Sequence, residues 1–125
     1  MKVLLDTHVL LWWLSDDVKL SERARLTINN PSNQVYVSAV SGWEISIKHA
    51  LSRLDVDVDK LMDEVEHNGF MLLNISFQHG ITAGGLPSHH RDPFDRMLIA
   101  QAQCEQLQLI SVDAYFSDYD VDVLW

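Results

Sequence analysis

Cysteine occurs once in this chain, at Cys104, so no disulfide can close within it. A disulfide-stapled extracellular scaffold is excluded, and a reducing cytoplasm is the expected compartment. Basic residues are scarce too: nine Lys and Arg face eighteen Asp and Glu, for a formal charge of −9. Taken alone, that balance opposes nucleic-acid and membrane partners, unless some of the acids gather around metal ions. No apolar run reaches the roughly 18–20 residues that a membrane span needs. The opening MKVLLDTHVLLWWL superficially resembles a signal peptide, but Asp6 and His8 interrupt it and no small-residue cleavage site follows. Gly/Ser/Pro linkers, low-complexity tracts and internal repeats are absent. The six histidines show no HExxH or Cys/His spacing, which argues against zinc. No Ser-His or Cys-His pairing points to a covalent nucleophile.

What is present is a run of alternating elements. A length of 125 residues, 47% apolar, is enough for one domain with a buried core across residues 1–125. Lys2–Asp6 reads as a buried strand, and His8–Leu14 continues as a helix. A short helix starts at Ser21 and stops at Asn29-Asn30-Pro31. Val35–Ser38 is a β-branched and aromatic strand. Helices are expected over Ser41–Leu54 and Asp59–His67, the second ending at Asn68-Gly69. Phe70–Ile75 is a strand, followed by a short helical piece from Phe77. A helix from Pro93 to about Gln106 precedes strand Leu109–Val112, and Val121–Trp125 is a last strand. Strands separated by helices predict an α/β fold, a mainly parallel sheet of about five strands with helices on both faces. In such sheets, sites lie beyond the carboxyl ends of the strands.

That rule sorts the acids. Asp6 ends the first strand and Asp113 follows the fourth, so both project at one edge. Glu44 and Asp95 fall in the first turns of helices that enter from it. Such carboxylates repel one another unless a cation neutralises them, and an all-oxygen set suits Mg²⁺ or Mn²⁺. Some of these acids also have structural readings. Asp92 before Pro93 fits a helix N-cap, which leaves Asp95 available for the site. Ser41-Gly42-Trp43-Glu44 spells a capping box, so Glu44 fits either role, and Asp113 could simply favour a turn. Asp6, at the end of a buried strand, has little structural purpose.

Four segments carry a resemblance. LLDTHVLLWWL, SAVSGWEISIKHALSRL, LPSHHRDPFDRMLIAQA and LISVDAYFSDYDVDVLW stand in the order and spacing of a PIN domain of the VapC type, and together they cover the chain nearly end to end. The resemblance implies a PIN-like α/β/α fold and the metal-dependent endoribonuclease toxin of a type II toxin–antitoxin pair. Its acidic positions match Asp6, Glu44, Asp95 and Asp113, with Asp6 and Asp95 as main ligands of one or two Mg²⁺ or Mn²⁺ ions. Glu44 and Asp113 would be ligands or water-orienting groups. Thr7 and Ser111 fall where the family often places hydroxyls that support the acids.

Further expectations follow from the resemblance. RNA, with transfer RNA the favoured class, would be cut to leave 5′-phosphate and 3′-hydroxyl ends. Lys48, one turn beyond Glu44, and Arg96, beside Asp95, could border the site and contact RNA, as could Arg91; ion pairing with a neighbouring acid is the alternative for Lys48 and Arg96. His89 and His90 read as loop residues rather than proton carriers. Trp12, Trp13 and Trp43 are candidates for a groove that receives a helix of a VapB-like antitoxin, unless they pack in the core. Homodimerisation is implied as well. A rival reading is a catalytically inactive PIN-fold binding or regulatory module, against which four intact acids stand. A haloacid-dehalogenase-like phosphatase would need a second aspartate two residues after the first, where this chain has His8.

Overall fold

A computed structural model describes residues 1–125. In chain order the elements are β1 (Lys2–Leu5), α1 (Thr7–Leu14), α2 (Glu22–Asn29), β2 (Gln34–Ser38), α3 (Ala39–Ala50), α4 (Val58–His67), β3 (Met71–Leu73), α5 (Phe77–Gly84), α6 (Pro93–Glu105), β4 (Gln108–Ile110), a 3₁₀ turn (Ala114–Asp118) and β5 (Val123–Leu124). The five strands form one sheet in the order β3-β2-β1-β4-β5, with every neighbouring pair parallel.

Side-chain alternation along β1 divides the core. Val3 and Leu5 turn to one face, against Val9 and Leu10 of α1 and Ala24 and Ile28 of α2. Leu4 turns to the other, against Leu98, Ile99 and Ala102 of α6 and Phe116 of the 3₁₀ turn. Helix α3 lies at the junction, giving Ile45 to the first cluster and Val40 to the second. Burying one such Leu or Ile is worth about 1.5–3 kcal/mol, so α6 is held firmly by its apolar face. The result is the expected three-layer α/β/α sandwich. No helix is long and apolar enough to cross a membrane.

Two boundaries differ from expectation in a way that matters. Helix α3 begins at Ala39, because Ser38, not Ser41, is its N-cap: Ser38 Oγ accepts the N–H of Val40 at 3.0 Å. The S-x-x-E box at Ser41 is therefore no cap, and Glu44 lies in the second helical turn rather than the first. The last two strands are shorter than expected: β4 ends at Ile110 and β5 is only Val123–Leu124, although the Ser111 N–H still donates to the Leu124 carbonyl at 3.2 Å. The chain moves from β1 outward to β2 and β3, then crosses back to β4 on the far side of β1. Strand order reverses between β1 and β4, the place where α/β sheets open a crevice.

Candidate metal centre

Two aspartates at this edge of the sheet stand in positions where aspartate normally caps a helix. Asp6 occupies the N-cap position of α1, with φ −60° and ψ 151°, yet its side chain makes no capping bond. Asp113 stands in the same relation to the 3₁₀ turn and caps nothing either. Asp92 behaves otherwise: its Oδ1 accepts the N–H of Phe94 at 2.9 Å and of Asp95 at 3.3 Å. With Pro93 at the first position, the start of α6 is complete without Asp95.

Short contacts tie three acids together. Ser111 Oγ donates to Asp6 Oδ2 at 2.8 Å and accepts the N–H of Asp113 at 3.1 Å. The Tyr115 hydroxyl lies 3.2 Å from Asp95 Oδ2 and 3.1 Å from Asp113 Oδ2, so one proton serves two carboxylates. Asp6 is only 2% exposed and Asp95 only 8%. Burial pushes the Asp6 carboxyl up to about 7; the Ser111 bond opposes this, and the charges of Asp95 and Asp113 add to it. Asp95 is raised as well, chiefly by burial, against the hydrogen bond from His90. Burial and the adjoining carboxylates hold the Tyr115 phenol above its ordinary range, which keeps it a donor.

Glu44 is 4% exposed and joins the cluster less directly. Its Oε2 meets Lys48 Nζ at 2.7 Å, one turn along α3. Three residues earlier, Ser41 Oγ is 2.9 Å from Thr7 Oγ1, which ties α3 to the residue that follows Asp6. The structure thus links Asp6, Asp95 and Asp113 through hydroxyls, while Glu44 is buried on α3 with Lys48 as its side-chain partner.

The expected cations are arranged differently. Arg96 is no border residue: its guanidinium donates to the carbonyls of Ala83, Leu86, Pro87 and His90 at 2.9–3.1 Å. Successive helical residues point about 100° apart, so adjacency to Asp95 aims Arg96 away from the crevice. It clamps the loop between α5 and α6 instead. Arg91 is exposed in that loop. His90, read as a mere loop residue, lies with Nε2 2.8 Å from Asp95 Oδ2 and its ring 4.2 Å from that of Tyr115. His90 and Tyr115 are the neighbours of the acids that spacing did not disclose.

The three tryptophans do not line one groove. Trp12 packs on Trp125 after β5, Trp13 packs on Phe70 before β3, at the opposite sheet edge, and Trp43 meets Phe94 of α6. Each has its own aromatic neighbour because consecutive helical side chains diverge.

The donor set fits a divalent cation. Neither Asp6 nor Asp113 has a cationic partner within the chain, although both stand close to like charge. His90, Asp92 and Asp95 also bring ligand atoms within 4.8 Å of one another. That trio has another explanation, since Asp92 is engaged as a cap and His90 is hydrogen-bonded to Asp95. Asp6, Asp95 and Asp113 do not converge that closely; their mutual repulsion and shared hydroxyl contacts are what mark them as a carboxylate cluster.

This arrangement can be set beside known proteins. A PIN domain profile matches residues 3–122. The chain belongs to the PIN domain family. Ribonuclease VapC22 of Mycobacterium tuberculosis is 30% identical over 115 residues, covering 89% of this chain and 86% of that protein. Among solved structures, this PIN domain resembles VapBC2 from Rickettsia felis bound to a promoter DNA fragment, with a TM-score of 0.72 at 13% identity, over 100% of this chain and 99% of that one. FitAcB from Neisseria gonorrhoeae gives a TM-score of 0.67 at 21% identity, over 100% and 97%. At those identities the structural likeness speaks for the PIN fold.

Proposed function

We propose that this PIN domain is a metal-dependent endoribonuclease, the toxin of a VapBC-type pair, which hydrolyses RNA phosphodiester bonds at Asp6, Glu44, Asp95 and Asp113. The observation that carries the reading is the pair of aspartates, Asp6 and Asp113, that occupy cap positions without capping. They stand with Asp95 in a cluster that pairs with no arginine of the chain. Burying several carboxylates together costs several kcal/mol unless an ion compensates, on the order given for unpaired buried charge. The kinship with Ribonuclease VapC22 supports the same activity.

Asp6, Asp95 and Asp113 would hold the metal, with Glu44 as a further ligand or an orienting group. Bound Mg²⁺ or Mn²⁺ would supply the Lewis acid that phosphodiester hydrolysis needs. The chain's own residues keep the carboxylates in place: Ser111 steadies Asp6, Tyr115 joins Asp95 to Asp113, and the Thr7–Ser41 pair fixes α1 to α3. Lys48 balances Glu44, and Arg91, exposed beside the site, is available to a phosphate. Transfer RNA is the proposed substrate class.

A VapB-like antitoxin is the proposed partner. An apolar groove of about 340 Å³, lined in part by Leu10, Val58, Leu61, Met62 and Val65, suits an amphipathic helix. The VapBC complexes among the structural neighbours support this partner. A homodimer is proposed on the exposed Phe77 and Ile81, which share one face of α5 beside the edge strand β3. The test is induced expression followed by mapping of cut RNA ends. Wild type should generate discrete new ends and Asp95→Asn none; equal patterns in both would refute the nuclease.

A further inference from the structure

Of the four tryptophans, only Trp43 is mainly in water, at 58% exposure. It is not loose. Its ring meets that of Phe94 edge-on, with centroids 5.3 Å apart and planes at 72°. Trp43 directly precedes Glu44, and Phe94 directly precedes Asp95. This aromatic contact therefore bridges α3 and α6, the two acid-bearing helices, one residue along the chain from each acid. A second aromatic pair, Tyr115 and His90, borders the same carboxylates.

Cations are few at this edge. Arg96 is turned onto four carbonyls and Lys48 is paired with Glu44, which leaves Arg91 as the exposed cation there, in a chain that carries −9 overall. Binding by phosphate neutralisation is correspondingly weak here. Stacking of a base on an aromatic ring needs no positive charge and tolerates any sequence. An antitoxin helix, by contrast, asks for a continuous apolar groove. The groove beside α3 is lined by Ala39 and Gly42, and Trp43 takes no part in it.

We propose that Trp43, braced by Phe94, is a stacking platform for an unpaired nucleobase beside the scissile phosphate of bound RNA. This rests on the nuclease reading above. A base inside a duplex is stacked on both sides and cannot reach the indole.

Trp43→Ala, Trp43→Phe and Trp43→Leu, each confirmed to melt like wild type, are to be assayed with Mn²⁺ on a short single-stranded RNA. Trp43→Ala should raise KM about five- to hundred-fold with kcat little changed, the range expected for one stacked base. Phenylalanine should restore most of the loss and leucine little, although both are apolar. An abasic residue beside the cut should weaken wild type as much, and Trp43→Ala no further. Anisotropy of the same labelled RNA in Ca²⁺ should repeat this order. Cleavage that is absent while binding still depends on Trp43 counts against the nuclease reading alone. Cleavage and affinity at wild-type level in Trp43→Ala, or equal values for Phe and Leu, overturn the platform. If that variant instead loses self-association in sedimentation, with RNA binding unchanged, the indole belongs to a second copy of the chain and the proposal also falls.

Discussion

Replacing Asp6 with Asn removes a buried charge while leaving an oxygen to accept the Ser111 hydroxyl. Asp6 is carried from 3.8 up to about 7 in the fold. At about 1.36 kcal/mol per pH unit, that displacement corresponds to about 4 kcal/mol. Between pH about 4 and 7 the folded chain keeps a proton that the unfolded chain releases, so metal-free stability falls as pH rises and is lowest above about 7. The amide has no such cost, but its bond to Ser111 is weaker than one to a carboxylate. A net gain of about 2 kcal/mol is expected at pH 8, or roughly 6–10 °C in Tm for a domain of this size. At about pH 3.5, below both pKa values, wild-type Asp6 is protonated in the folded and the unfolded chain alike, and the two proteins should melt close together. Thermal scans in EDTA at both pH values test this, and Mn²⁺ at pH 8 should then raise the wild type far more than Asp6→Asn. A variant that melts at or below wild type at pH 8, or with the same offset at both pH values, would show that burying the Asp6 charge carries no such cost.

Asp92→Asn should keep both the cap and RNA cleavage, since Asn caps about as well as Asp; Asp92→Ala should lose about 1 kcal/mol in urea titration. Arg96→Lys should lose about 2 kcal/mol, because a point-like ammonium cannot serve four carbonyls that a planar fork can. The readout is a lower urea midpoint at unchanged m.

Much of this architecture could be read from periodicity. The run KVLL, fully apolar after its lysine, announces a strand buried on both faces, and that implies a parallel sheet between helix layers. The strand-end rule then drew attention to Asp6 and Asp113. Local patterns failed where two readings share one spacing. Ser38 and Ser41 lie three apart on one helix, and nothing in S-x-x-E reveals that the helix has already begun at Ala39. Arg96 was misjudged because neighbours in sequence diverge around a helix. Tyr115 and His90 sit in a 3₁₀ turn and a loop, where no apolar period reports which way a side chain points. Only the folded path of those segments brings them onto Asp95.

Ser111 and Asp6 are 105 positions apart, yet they share a hydrogen bond. A nascent polypeptide leaving the ribosome at about 5–20 residues per second needs several seconds or more between the first and last of these groups. Through that interval the emerging segment has Asp6 but neither Ser111 nor Asp113, and its carboxylate cluster cannot assemble. Any translation product terminated before Ser111 and Asp113 carries an incomplete carboxylate cluster by the same logic.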